Sequence, residues 1–127
     1  AYSTTKHIDG QGRCLGGVIL CSDEFLKEPL LPYLRNTGPT MSPFNAWVML
    51  KGLETLELRL DRMCANAARV ADYLAEHTGL IRVMYPGRTD HPQHELAMRQ
   101  MKGVGGSIIA AHVPGGRAQA FEVLHSL

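Results

Sequence analysis

Residues 42–79, SPFNAWVMLKGLETLELRLDRMCANAARVADYLAEHTG, contain the pattern that decides the fold prediction for this sequence. Ser42 is a residue type that caps helix N-termini, and Pro43 stands at the first helical position, which proline favours. Gly79 is typical of the stop that follows a helix C-terminus. The stretch therefore predicts one helix from Pro43 to His77, about 50 Å long at 1.5 Å per residue.

Apolar residues recur along this helix at alternating steps of three and four. Such steps return to the same side of a helix, so the apolar residues share one face and charged residues occupy most of the remainder. This apolar face consists of Leu53, Leu56, Leu60, Met63, Ala67, Val70 and Leu74. A domain of this size is only about 30 Å across. The pattern therefore favours a helix that links two bodies, with a coiled coil as the alternative.

The segments on either side of the helix predict an α/β chain. Before it, Leu15 to Cys21 has the composition of a buried strand, and a short helix runs from Ser22 to about Arg35, disturbed by prolines. After it we expect a strand at Leu80 to Tyr85, a helix at Pro92 to Met101, a strand within 105–113 and a helix within 115–127. No stop signal follows the last helical pattern, so the chain looks cut at both ends.

Composition limits the classes of function. The 127 residues are 45% hydrophobic and 20% charged, and the net charge is +1. We therefore expect no nucleic-acid partner and no membrane span. The three cysteines have no CxxC spacing, and His91 and His94 have no third ligand nearby in the sequence, so we expect no disulfide framework and no metal site. A cytoplasmic location is the default expectation.

The opening stretch, AYSTTKHIDGQGR, carries the candidate chemistry. Ser3 and Thr5 lie three residues and one residue before Lys6, and glycines follow at positions 10 and 12. A surface loop is one interpretation. The other is a cofactor anchor, in which the lysine amine binds an aldehyde and the two hydroxyls donate to phosphate oxygens close by.

This stretch resembles the cofactor-lysine motif of the Cys/Met-metabolism family of pyridoxal-phosphate enzymes. His7 departs mildly from that pattern, because an aromatic residue is usual there. The matching positions are Ser3, Thr5, Lys6, Ile8, Gly10 and Gln11. The long helix also resembles the family's, with its Ser-Pro start and its Gly-Leu-x-Thr-Leu core, although Lys51 stands where many members have arginine.

The resemblance implies a fragment of the fold-type I pyridoxal-phosphate transferase fold. Residues 1–41 would end the large cofactor-binding domain, 42–78 would form the linking helix, and 79–127 would begin the small C-terminal domain. Residues that stack on and pair with the cofactor ring would precede this chain, and the arginine that binds the substrate carboxylate would follow it. The 127 residues alone are therefore expected to be inactive, and the intact protein is expected to be a homo-oligomer, as the family tetramer is.

The resemblance also implies a reaction. Pyridoxal 5'-phosphate would form a Schiff base with Lys6, and Ser3 and Thr5 would bind its phosphate. Lys6 would then move a proton from Cα of an amino-acid substrate toward Cβ, and sulfide would replace the group on Cγ. The lysine motif and the start of the long helix are most similar to the branch of the family that makes homocysteine from O-succinylhomoserine. Cystathionine γ-synthase, a γ-lyase and O-acetylhomoserine sulfhydrylase are alternatives within the family, and a non-enzymatic α/β module that binds a partner through its long helix is the alternative outside it.

Two further expectations concern the isolated strand and the apolar face of the long helix. The resemblance implies a mostly parallel sheet in the large domain, of which this chain contains only the predicted strand Leu15 to Cys21. A lone parallel strand leaves its backbone groups unpaired, so Ala1 to about Arg13 should be displaced, mobile or paired with another copy. The apolar face of the helix should make the chain associate with itself.

Overall fold

The structure is a computed structural model that describes residues 1–77, 79–80 and 82–126. It divides into two compact units, Ala1–Leu58 and Arg59–Leu127. Within the described residues, no helix is both long enough and apolar enough to cross a membrane. Three positions used in the sequence predictions lie outside the described residues: Thr78 at a domain boundary, Ile81 within the predicted strand, and the last residue, Leu127.

The first unit begins with a short backbone pairing. The N–H of Tyr2 donates to Val18 O at 2.8 Å, and the N–H of Val18 donates to Tyr2 O at 2.9 Å. The predicted buried strand from Leu15 to Cys21 is wrong, because the pairing is confined to this one antiparallel bridge. Leu15 and Leu20 are 78% and 80% exposed. An apolar run becomes a buried strand only when neighbouring strands and a covering layer are present, and the described residues supply Tyr2 alone.

The predicted helix that starts after Ser22 is confirmed and ends two residues later than expected. It consists of α1 (Asp23–Phe25), a wide π-helical turn (Leu26–Leu30) and α2 (Leu31–Thr37). The Ser22 hydroxyl accepts from the N–H of Phe25, and Gly38 ends α2 with a φ of 76°. Pro29 lies inside the wide turn, where its missing N–H and its ring displace the ordinary helical bonding.

The long helix is two helices, α3 (Pro43–Leu53) and α4 (Leu56–His77), so its prediction as one piece is wrong. The predicted start is confirmed, because the Ser42 hydroxyl accepts from the N–H of Asn45 and Pro43 opens α3. The helix breaks at residues 54–55, two residues after Gly52. Among the amino acids, only proline has a lower helix propensity than glycine. Gly52 also packs against the backbone of Ile8.

The second unit contains the rest of α4, β1 (Arg82–Met84), α5 (His94–Gln100), β2 (Ala110–His112) and α6 (Gly116–His125). The two strands pair antiparallel, with Val83 opposite Ala111. The predicted alternation of strand and helix is therefore confirmed, although each element is shorter than its sequence pattern.

The core of the second unit forms around one aromatic residue. Ala67 and Ala71 of α4 are buried against Tyr85, which is 2% exposed and donates its hydroxyl to Gly106 O at 3.0 Å. The predicted apolar face is therefore only partly right: Ala67 belongs to the core, but Val70 is 48% exposed. Small side chains pack here because the Tyr85 ring lies close to the helix, a constraint that hydrophobic periodicity does not contain.

Candidate functional site

The candidate site is a turn that begins at Ser3 and is closed by backbone hydrogen bonds. The N–H of Lys6 donates to Ser3 O at 3.3 Å, and the N–H of Gly10 donates to Lys6 O at 2.8 Å. The N–H of Asp9 donates to Thr4 O at 2.9 Å. Lys6 thus lies in the middle of a folded turn, with its backbone N–H and C=O both engaged.

This turn corrects the expectation that residues 1–13 are displaced or paired with another copy. Tyr2 pairs with Val18 of the same chain, and Thr4 and Asp9 are buried. The expectation rested on unpaired strand edges, but the segment forms bonds within itself and with residues 16–18. Local turns satisfy the backbone groups that a lone strand would leave open.

The three predicted cofactor residues do not share one environment. Ser3 and Lys6 are both exposed and joined across the turn, whereas Thr5 is half-buried. The Thr5 hydroxyl accepts from the N–H of Gly16 at 2.9 Å and donates to Gly16 O at 3.2 Å. Ser3 and Lys6 are therefore presented outward together, while Thr5 also anchors the turn to the following segment.

Thr4, which lies between Ser3 and Thr5, is the buried threonine of the turn. It is 5% exposed, and its hydroxyl oxygen has no hydrogen-bond partner among the described residues. Gly16 leaves room for it, because a Cβ there would lie 2.6 Å from the Thr4 oxygen and 2.5 Å from the terminal methyl group of Met41. The hydroxyl oxygen of Thr4 therefore lies in apolar surroundings.

Asp9 and Arg13 form an ion pair that the sequence analysis missed. Asp9 has no exposed side-chain area, whereas Arg13 is 39% exposed, and Arg13 Nε lies 2.8 Å from Asp9 Oδ1. The N–H of Arg13 donates to Asp9 Oδ2 at 2.7 Å, and Arg13 Nη2 donates to Asp9 O at 3.1 Å. The signal was present as opposite charges four residues apart within Asp-Gly-Gln-Gly-Arg.

The pKa of the Asp9 carboxyl reflects this pairing. Burial alone raises its pKa, but hydrogen bonds from the Arg13 side chain and backbone, together with the Arg13 charge, hold the pKa below its ordinary value. Asp9 is therefore a buried carboxylate kept ionised by its partner.

Gly52 is the second residue that the sequence analysis missed. It is buried on α3, and a Cβ at this position would collide with the backbone carbonyl of Ile8. A glycine inside a helical pattern weakens the helix and often has a packing reason, so the pattern hinted at a contact at Gly52 but not at its partner, Ile8. It brings α3 against the segment that follows Lys6.

The other candidate residues have structural roles. His94 Nδ1 lies 2.9 Å from Pro86 O, and His91 Nδ1 accepts from the N–H of Gln93 at 3.1 Å. His7, at the position where an aromatic was expected, lies 3.2 Å from the Tyr2 hydroxyl through its Nδ1. Across the ranges that the structure describes, no three His, Cys, Asp or Glu side chains are grouped to hold a metal ion.

Curated relatives match nearly all of the chain. O-succinylhomoserine sulfhydrylase of Mycobacterium tuberculosis (strain ATCC 25618 / H37Rv) is 49% identical over 99% of the chain, and that of Pseudomonas aeruginosa is 48% identical over 97%. Cystathionine gamma-synthase of Mycobacterium bovis is 41% identical over 92%. The chain covers 32%, 30% and 30% of these relatives, so it spans about a third of their length.

Solved structures agree with these relatives. Cystathionine gamma synthase from Xanthomonas oryzae pv. oryzae, in complex with aminoacrylate and cysteine, matches 94% of the chain with a TM-score of 0.86 and 37% identity. Its match covers 30% of that chain. The profile of the family described as Cys/Met metabolism PLP-dependent enzyme matches residues 1–127. The chain therefore has part of the fold-type I architecture and belongs to the Cys/Met metabolism family of pyridoxal-phosphate-dependent enzymes.

Proposed function

We propose that this chain is part of a pyridoxal-phosphate-dependent sulfhydrylase that makes homocysteine from O-succinylhomoserine and sulfide by γ-replacement. The observation that carries the proposal is the identity of 49% and 48% to two relatives of that name, against 41% to a cystathionine gamma-synthase. Cystathionine γ-synthase, a γ-lyase and O-acetylhomoserine sulfhydrylase remain the alternatives. A canavanine gamma-lyase at 40% identity keeps the lyase alternative in view. The family match weighs against a non-enzymatic interaction module.

The residues present suit the cofactor. The Lys6 side chain is exposed, and among the described residues it has no ion-pair partner to compete for its amine. The Ser3 hydroxyl lies on the same turn. Thr5 has one hydroxyl proton, which now makes the longer of its two bonds to Gly16. That proton can turn to a phosphate oxygen while Thr5 keeps accepting from the Gly16 N–H. When bound, pyridoxal phosphate supplies an aldehyde for an amine and an electron sink for charge at Cα.

Each residue has a distinct task in this proposal. Lys6 Nζ would hold the cofactor through its aldehyde carbon and, once the substrate amine takes that place, would act as the base that moves the proton from substrate Cα toward Cβ. Ser3 and Thr5 donate hydrogen bonds to the phosphate and so orient the aldehyde toward Nζ. Succinate leaves Cγ with its bonding electrons, and sulfide forms the new bond at that carbon. Sulfur thus replaces oxygen at Cγ without a net change in oxidation state.

Parallel reactions with different sulfur donors test the proposed substrates. Purified full-length protein is given O-succinylhomoserine with sulfide, with cysteine, or with no thiol, and products are identified by mass spectrometry. We expect homocysteine as the main product with sulfide, and an O-acetylhomoserine arm tests the acyl group. Faster formation of cystathionine with cysteine, or of an oxo acid without a thiol, would replace the sulfhydrylase by one of its alternatives. A Lys6→Ala protein assayed alongside shows that turnover belongs to this site.

The organisation of the full-length protein is part of the same proposal. We infer that residues 1–41 end the cofactor-binding domain, that 42–78 link the domains, and that 79–127 begin the small domain. We also infer a homo-oligomer, a tetramer as the family resemblance implies, and a cytoplasmic location. The relatives that match nearly all of this chain are about three times as long, which supports its being one part of a larger protein.

A further inference from the structure

We propose that Asp9 and Arg13 are positioning residues. Their ion pair fixes the position of the Lys6 backbone, and therefore the point from which the Lys6 amine reaches the cofactor. The inference rests on the proposed function, in which Lys6 holds the cofactor. Neither residue is assigned contact with the cofactor itself.

Burial of the ionised Asp9 carboxylate costs free energy. An ionised carboxylate without exposed area is stable only when its oxygens are hydrogen-bonded and its charge is paired. Asp9 meets both conditions chiefly through Arg13: Oδ1 faces Nε at 2.8 Å and Oδ2 accepts from the Arg13 N–H at 2.7 Å, and the backbone of Cys14 adds a further hydrogen bond to the carboxylate. Because the backbone N–H is one of these donors, the pair fixes the chain path between the two residues as well as their side chains.

Backbone hydrogen bonds connect the chain path at Asp9 and Gly10 to the turn that holds Lys6. Asp9 donates its N–H to Thr4 O, and the next residue, Gly10, donates its N–H to Lys6 O. The hydrogen bonds on either side of Lys6 therefore depend on where the Asp9 backbone lies. Gly10 and Gly12 have φ values of 68° and 66°, so the loop contains two left-handed backbone positions that suit glycine. Such a loop has few ways to relax without moving the Lys6 carbonyl.

The segment that contains Asp9 is also held in place by a contact with α3. Gly52 of α3 lies against Ile8, and its hypothetical Cβ would lie 3.4 Å from the Asp9 Cα. The ion pair closes the loop from within, and α3 supports it from outside. Fold stability alone does not need a buried charge, since an apolar pair of similar volume is often as stable. A charge at this position suits a loop whose geometry must be specified.

The test compares Asp9→Asn with a matched control in full-length protein. Asp9→Asn keeps the side-chain size and removes the charge. Asp23→Asn makes the same change in another i,i+4 pair, Asp23–Lys27, whose side chains are 88% and 70% exposed. The readouts are the pyridoxal-phosphate dissociation constant and the visible circular-dichroism band per bound cofactor, which reports how the cofactor is oriented and does not follow fold stability.

We expect Asp9→Asn to weaken cofactor binding about tenfold or more and to change the visible circular-dichroism band, because small displacements at a reacting group are costly. Asp23→Asn should change neither. Arg13→Lys keeps the positive charge but loses the fork geometry, so it should lie between wild type and Asp9→Asn. If Asp9→Asn does not fold, Arg13→Lys against Lys27→Gln decides the question with the same two readouts.

Wild-type affinity and an unchanged band in the Asp9 and Arg13 variants, with only a lower melting temperature, would overturn the positioning role. Failure of the proposed cofactor role of Lys6 gives a different result: wild-type protein would then carry no cofactor on Lys6. The location of the cofactor in the wild type is therefore determined first, by peptide mapping.

Discussion

Thr4 and Thr5 are adjacent residues of the same type with opposite surroundings. The Thr5 hydroxyl makes two hydrogen bonds to Gly16, whereas the buried Thr4 hydroxyl has none among the described residues. Sequence alone identified the Ser-x-Thr-Lys spacing but not this difference, because it depends on which face of the turn meets Met41 and Gly16. Asp9 and Arg13 escaped prediction for a similar reason: charges four residues apart are common, and only the fold shows that one is buried.

A Thr4→Val change should stabilise the protein. Valine has nearly the shape of threonine and removes a buried hydroxyl without a partner, so we expect the free energy of unfolding to rise by about 1 kcal/mol. Thr5→Val is the matched control and should lower it by about 1 kcal/mol, because the Gly16 N–H loses its acceptor. Urea unfolding of the two full-length variants measures both. A loss of stability in Thr4→Val would show that its hydroxyl has a partner.

The lowered pKa of Asp9 predicts how stability depends on pH. A carboxyl whose folded-state pKa lies below its unfolded-state value contributes stability above the unfolded-state pKa, and this is lost as pH falls through the folded-state pKa. The stability difference between wild type and Asp9→Asn should therefore be full above about pH 5 and shrink below about pH 4. Urea midpoints measured from pH 6 to pH 3 test this. A difference that is constant across that range would exclude a contribution from Asp9 ionisation.

At the scale of helices and strands, local signals were predictable and tertiary contacts were not. The Ser42 cap and the Pro43 start were correct because both act through the neighbouring backbone. The break after Leu53 was missed because its cause includes the approach of Ile8 to Gly52, which no helical pattern encodes. The prediction of a buried strand at Leu15 to Cys21 was wrong for the same physical reason, because burial depends on which other elements pack against the segment.

Gly52→Ala should destabilise the protein, although alanine normally improves a helix. Alanine gains about 1 kcal/mol over glycine in helix propensity, but its Cβ would collide with the Ile8 carbonyl, and such overpacking costs about 1–3 kcal/mol or more. We therefore expect a net loss in the free energy of unfolding. Gly79→Ala is the control, because its hypothetical Cβ meets nothing within 4 Å among the described residues beyond its chain neighbours, and it should change stability by less than about 0.5 kcal/mol. A stabilised Gly52→Ala protein would contradict the contact.

At the scale of the whole molecule, each unit leaves large apolar side chains exposed. In the first unit Phe44 and Trp47 of α3 are 69% and 55% exposed, and in the second Tyr73 of α4 is 60% exposed. Ordinary surfaces carry scattered apolar residues, but adjacent aromatic rings such as Phe44 and Trp47, with centroids 6.1 Å apart, form a patch. The sequence predicted association from the apolar face of one helix, and the structure exposes large apolar side chains on α3 as well as on α4.

The 127-residue chain, expressed alone, should therefore associate in solution. We expect light scattering coupled to size exclusion to give a mass above the 14.0 kDa of one chain, rising with concentration. Trp47→Arg should shift the distribution toward smaller species, whereas Glu24→Arg, also on the exposed surface, should not. A monomer at every concentration over a hundredfold range would contradict this prediction.

The central claim is that Lys6 is the residue to which the cofactor attaches. The chain offers three other lysines as internal comparisons, and two of them, Lys27 and Lys51, form ion pairs with nearby carboxylates. The most direct measurement is borohydride reduction of the full-length protein with bound pyridoxal phosphate, followed by protease digestion and mass spectrometry of the labelled peptide. We expect one reduced phosphopyridoxyl group, on Lys6, and none in Lys6→Ala. A label on another lysine, or full activity in Lys6→Ala, would contradict it.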